Sequence, residues 1–145
     1  MGPRLLLLAA MMLLAPLTAF AGTDIEAACY KDCDSATNSN PDYKACVARA
    51  ADKADAALNQ AYKDMVGAVR SAGKEMSQAS DFQAGDLKDA QKQWIAYRDA
   101  NCTFEDSLAF GGTAIGGNYS SCLCALSYQR INDFDRMKKD VLGGE

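Results

Sequence analysis

Six cysteines and no histidine define the chemistry open to this 145-residue chain. Without an imidazole there is no Ser-His-Asp or Cys-His nucleophilic centre. Cys29, Cys33, Cys46, Cys102, Cys122 and Cys124 therefore leave two uses for sulfur, thiolate ligation or disulfide formation. Zinc clusters favour a C-x-x-C knuckle or histidine, and neither is present. A redox pair would want C-x-x-C at a helix start, which is also missing. Three disulfides are the expected use, and the spacing alone leaves many pairings open. Asp52/Asp55 and Glu105/Asp106 could serve as paired acid and base, but on helices such pairs read as solvated surface. The run Gly111 to Gly117 lacks the lysine and spacing of a phosphate-binding loop. No cofactor or metal is expected, and no catalytic residue. Asn101-Cys102-Thr103 and Asn118-Tyr119-Ser120 match a glycosylation pattern, which matters only in a eukaryotic secretory pathway.

Disulfides need an oxidising compartment, and the first residues are read as supplying the route to one. Arg4 gives a short positive start, Leu5 to Leu14 an apolar core, and Ala19-Phe20-Ala21 a small-x-small cleavage signal. That core is too short to span a bilayer. Residues 1–21 are expected to be a signal peptide and residues 22–145 a single exported domain, periplasmic or extracellular, with no transmembrane segment. Cys29 does not follow the apolar run directly, so no lipid anchor is expected. The formal charge of the whole chain is −4, and cleavage would remove one basic residue, Arg4. Such a balance excludes a strong nucleic-acid or anionic-membrane binder and suits a basic partner.

The elements that must position these residues read as helices. A short helix is expected over residues 25–35, broken at Asn38-Ser39-Asn40-Pro41. From Asp42 to about Ser71, Tyr43, Val47, Ala50, Ala54, Leu58, Ala61, Met65 and Val69 recur at three- and four-residue intervals, which is one continuous helical stripe. Residues 72–85 read as a connection. A third helix is expected from Asp86 to about Leu108, with Leu87, Gln91, Trp94, Arg98 and Cys102 on one face. After the glycine-rich loop, a last helix from about Tyr119 to Leu142 carries Cys122, Leu126, Arg130, Phe134, Met137 and Val141, with Gly143 as its cap. No alternating β-branched run appears. The expectation is an all-α fold, a small antiparallel bundle of about four helices stapled by disulfides.

Within that bundle, Trp94, Arg98 and Cys102 are spaced by four and share a face. Asp55, Asn59 and Tyr62 form a polar edge beside Leu58 on the second helix. A guanidinium beside a core tryptophan needs partners, so either Arg98 or Arg130 is expected to meet Asp55 across the bundle. The same residues carry a family pattern. A cysteine, Cys46, precedes the long helix; Asp55-Ala56-Ala57-Leu58-Asn59-Gln60-Ala61-Tyr62 follows as D-x-x-L-N-x-x-Y. Ala90 to Cys102 reads A-Q-x-x-W-x-x-Y-R-D-x-x-C, including Gln91 and Asp99, and Cys122 to Arg130 reads C-x-x-x-L-S-x-x-R.

This order resembles the small exported domain of the lysozyme inhibitor LprI family, over about residues 29–136. Ser127 stands where that family usually has threonine and Phe134 where it often has leucine. Cys29 and Cys124 are additional to the commoner four-cysteine pattern. The resemblance implies a helical bacterial envelope domain with Cys33–Cys46 and Cys102–Cys122 as the common bridges, which leaves Cys29–Cys124 as the third. It also implies a function, binding and blocking a host-type lysozyme. The loop from Phe110 to Tyr119 is the expected docking element. Phe110, Ile115 and Tyr119 would supply apolar contact, while Glu105 and Asp106 would meet arginines on the lysozyme. The alternative is a non-catalytic envelope binding or stability module with a different partner.

Overall fold

The structure is a computed structural model that describes residues 23–31, 33, 39–75 and 80–141. The expected signal peptide, its cleavage site and Gly143 lie outside the described residues. Four helices follow in order: α1 (Thr23–Tyr30), α2 (Asn40–Glu75), α3 (Ser80–Ser107) and α4 (Gly117–Val141). No strand occurs among the described residues.

The spine is α2, whose 36 residues span about 54 Å at 1.5 Å per residue. Its start is set by Ser39. The Asp42 N–H donates to the Ser39 hydroxyl oxygen at 3.4 Å, and that hydroxyl donates back to the Asp42 carboxylate. This is the N-cap half of a capping box, with the Asp42 carboxylate on the Ser39 hydroxyl instead of the Ser39 backbone N–H. Asn40-Pro41, expected to break the chain, instead sits in the first turn, where proline costs no hydrogen bond. Val47, Ala51, Ala54, Leu58, Ala61 and Met65 are buried along one face. Alanines at this seam let α4 lie close.

The packing is layered along α2. At its N-terminal end, Ala51 and Ala54 meet Cys124 of α4 and Ile25 and Cys29 of α1. Further along, Leu58, Ala61 and Met65 surround Phe134 of α4, with Trp94 and Leu87 of α3 against them. This ordering makes α2 and α4 run side by side in the same direction, with α3 antiparallel to both.

Two boundaries correct the sequence reading. Residues 72–85 were expected as a connection and α3 was expected to start at Asp86. Yet α2 continues to Glu75 and α3 begins at Ser80. Gly73 is buried in the last turn of α2 and Ala84 is buried in α3, so tertiary packing outweighs the roughly 1 kcal/mol that each helical glycine costs. The first helix ends at Tyr30, earlier than expected. The Cys33 N–H donates to the Tyr30 carbonyl at 2.8 Å, turning the chain so that Cys33 reaches Cys46.

The cysteines pair as Cys29–Cys124, Cys33–Cys46 and Cys102–Cys122, with Cα separations of 5.9, 5.5 and 5.4 Å. These are ordinary disulfide spans. The bridges join α1 to α4, Cys33 to α2, and α3 to the start of α4.

Candidate functional site

Two constructions stand out, a polar network inside the bundle and the loop between α3 and α4. In the network, it is Arg98 rather than Arg130 that meets Asp55. Arg98 Nη1 lies 2.8 Å from Asp55 Oδ1 and 3.1 Å from the Ser127 hydroxyl. Its Nε and Nη2 both lie 2.9 Å from Asp99 Oδ1. The Arg98 side chain is 9% exposed and that of Asp55 is 50% exposed. Asn59 donates to the second Asp55 oxygen at 3.2 Å, and Ser127 is buried. Burial acts to lower the Arg98 pKa, but the hydrogen bonds and charges of the two carboxylates outweigh it and raise the value above the ordinary one.

Arg130 has a different environment. Its Nε donates to the buried Gln91 side chain at 3.1 Å, and its guanidinium lies over the Phe134 ring at 4.7 Å and the Trp94 ring at 5.6 Å. Arg98 lies 5.5 Å from the same tryptophan ring. Burial lowers the Arg130 pKa, and Asp133, 3.9 Å away, offsets only part of that. Tyr62 packs on the apolar side, 6.4 Å from Phe134, rather than sharing the polar edge of Asp55 and Asn59. Every residue of the network is engaged with a neighbour inside the fold. Its chemistry is that of a brace joining three helices.

The loop is built differently. The Cys102–Cys122 bridge closes its base. Asp106 Oδ1 accepts from the Gly116 N–H at 2.7 Å and the Tyr119 N–H at 3.2 Å. A carboxylate from α3 thus satisfies unpaired donors at the start of α4, where negative charge is favoured. Asn40 Nδ2 donates to the Thr113 carbonyl at 3.2 Å, and Gly117 packs on Tyr43 and Lys44. The second half of the loop is therefore fastened to α2. Asp106 Oδ1 thus positions the second half of the loop. Sequence reasoning missed the Asn40 anchor, because nothing local marks a side chain 73 residues from its partner.

Phe110 lies in the turn that follows α3, where its N–H donates to the Ser107 carbonyl at 3.1 Å; it has φ 47° and is 89% exposed. Left-handed backbone is uncommon for a bulky residue. Gly111 follows with φ 83°, the conformation glycine accommodates freely. Ile115 is exposed and Tyr119 half-buried. Glu105 is exposed at the base, where its carboxylate accepts from Asn101 Nδ2 at 2.8 Å. All six cysteines are consumed in disulfides, leaving no thiolate as ligand or nucleophile. No cluster able to hold a metal ion occurs among the described residues.

The model of the lysozyme inhibitor LprI family matches residues 32–134, which include the Cys33–Cys46 bridge, the Asp55–Arg98 brace and the α3–α4 loop. The chain belongs to the lysozyme inhibitor LprI family. It is also similar to an uncharacterized protein of Rhizobium meliloti (strain 1021), 35% identical over 113 residues, which covers 76% of this chain and 81% of the relative. No solved structure matches it. The family match begins after Cys29, so the third bridge, which ties α1 to α4, reaches outside the matched segment. No helix among the described residues is long and apolar enough to cross a membrane.

Proposed function

We propose that this LprI-family protein is exported, cleaved near Ala21, and binds a host-type lysozyme through the α3–α4 loop, blocking it without catalysis. The observation that carries the reading is Phe110. A large apolar side chain sits almost wholly in water on left-handed backbone, where glycine or asparagine would cost less. Strained, exposed residues of this kind collect at binding elements, where surrounding structure holds them in place. Here Phe110 is tied to the end of α3 by its N–H on the Ser107 carbonyl, and the rest of the loop is held by Cys102–Cys122, by Asp106 on the α4 N-terminus, and by Asn40 on Thr113.

A loop already ordered before binding loses less entropy on docking, which favours affinity. The net charge of −4 would steer the protein toward a basic lysozyme. Three disulfides fit an oxidising compartment, where such an encounter takes place. The test is clearance of a cell-wall suspension by lysozyme in the presence of the disulfide-intact protein. Inhibition that Phe110→Gly weakens by tenfold or more supports the reading. Unchanged clearance at micromolar excess of the native protein rejects it.

A further inference from the structure

Beside the loop, a groove of about 440 Å³ opens between the end of α3, the start of α4 and α1. Its apolar walls are Tyr30, Leu108 and Ala125, and its polar groups are Glu105, Asn118 and Ser121. Glu105 is the one carboxylate among the described residues that line it. The hydrogen bond from Asn101 at 2.8 Å fixes that carboxylate's orientation while leaving it acceptor capacity.

The segment of α3 and α4 that lines the groove carries little positive charge. From Gln93 to Gln129 the chain has a single basic residue, Arg98, which is buried and paired with Asp55 and Asp99. Lys31, next to Tyr30, and Lys44, beside Gly117, border the groove from α1 and α2. Over the same stretch Tyr97 and Phe104 of α3 are exposed, as is Leu108 just beyond its end. At 100° per residue the first two share one flank of the helix, displaced from the face of Gln91, Arg98 and Cys102 that meets the core. Phe104 alone is 61% exposed. Exposed aromatics are enriched in protein-docking surfaces. The net charge of −4 disfavours a second copy of the chain and an anionic membrane as the occupant.

We infer that the groove receives an arginine side chain from the surface of a cationic protein partner. The aliphatic stem lies against Leu108 and Ala125, the guanidinium forks onto Glu105 with Asn118 and Ser121 as further acceptors, and the Tyr30 ring flanks it. Phe104 and Leu108 form the apolar shoulder on which the surrounding partner surface rests. The inference rests on the lysozyme reading for the identity of that partner, and it extends the docking surface from the loop along the flank of α3.

The groove can be tested without lysozyme. N-acetyl-arginine amide is titrated into the ¹⁵N-labelled, disulfide-intact protein, with the neutral isostere N-acetyl-citrulline amide as control. Saturable shifts at the Glu105, Ser121 and Ala125 amides with the arginine compound, absent with citrulline and at least tenfold weaker in Glu105→Gln, support the proposal. Equal shifts with both compounds, or shifts confined to other surfaces, overturn it. In the lysozyme assay Glu105→Gln should raise the inhibitory concentration about tenfold while the helical circular dichroism stays unchanged; an unchanged inhibitory concentration also overturns it. A native protein that inhibits nothing would reject the lysozyme reading, while the titration would still decide the groove.

Discussion

Removing the two carboxylates that face Arg98 should destabilise the fold far more than removing either one. The guanidinium is 9% exposed, whereas Asp55 and Asp99 are 50% and 46% exposed. At a charge separation near 4 Å, an effective dielectric between the surface and aqueous limits gives about 1–4 kcal/mol per pair. The half-exposed carboxylates place the Asp55 pair at the low end, about 1–2 kcal/mol, after screening. Asp55→Ala alone therefore costs about that much, because Asp99 and Ser127 still hold the guanidinium. Asp55→Ala with Asp99→Ala strands a buried cation, and the expected loss rises to about 3–5 kcal/mol. Arg98→Ala leaves carboxylates that can rehydrate, so its cost, about 3 kcal/mol, comes mainly from lost hydrogen bonds and lost packing on Trp94. The assay is equilibrium urea unfolding with disulfides intact, followed by circular dichroism and Trp94 fluorescence. A double-mutant cycle on Asp55 and Arg98 should show coupling of about 1–2 kcal/mol. Coupling within the additivity error, about 0.5 kcal/mol, would refute the brace.

Arg130→Met should change stability by less than about 1 kcal/mol in the same assay, against about 3 kcal/mol for Arg98→Met. Burial disfavours the charge on Arg130, which faces only the more distant Asp133. Cys29→Ser with Cys124→Ser removes a link between residues 95 apart, and Cys33→Ser with Cys46→Ser one between residues 13 apart. On loop entropy the first pair should cost about 4–5 kcal/mol and the second about 3 kcal/mol, an order that thermal melts under non-reducing conditions will check. Asp106→Ala should speed hydrogen exchange at the Gly116 and Tyr119 amides about tenfold, with core amides of α2 unaffected. Phe110→Gly should raise stability by up to about 1 kcal/mol by relieving left-handed strain, while inhibition falls. Loss of both stability and inhibition would mean that Phe110 is a packing residue.

The helical stripes were legible because burial imposes a period on them. Val47, Ala54, Leu58, Ala61 and Met65 are buried where the spacing placed them, and Phe134 is buried in the stripe of α4. The bridges were legible only through the family pattern, since cysteine spacing cannot choose among pairings. What the sequence concealed is mostly non-local. Gly73, Ser77, Ser80 and Gly85 look like a linker because local propensity is weak there, yet burial of Gly73 and Ala84 favours helix at the end of α2 and the start of α3. Arg98 and Arg130 both fit Asp55 on spacing, but Arg98 lies level with Asp55 and Ser127, while Arg130 lies further along the bundle with Gln91 and Phe134. Asp106 looked like a free surface acid, because its partners at Gly116 and Tyr119 are brought to it by the loop's own turn. The flank of Tyr97, Phe104 and Leu108 was readable as a second apolar set, but the stronger stripe of Leu87, Trp94 and Cys102 masked it.

The most direct measurement is titration of native and reduced protein into lysozyme acting on a cell-wall suspension, with binding heat recorded in parallel. Stoichiometric binding and slowed clearance by the native form, both lost on reduction and both weakened by Phe110→Gly, are the expected result. A native, fully cross-linked protein that gives no binding heat and leaves clearance unchanged would contradict the account.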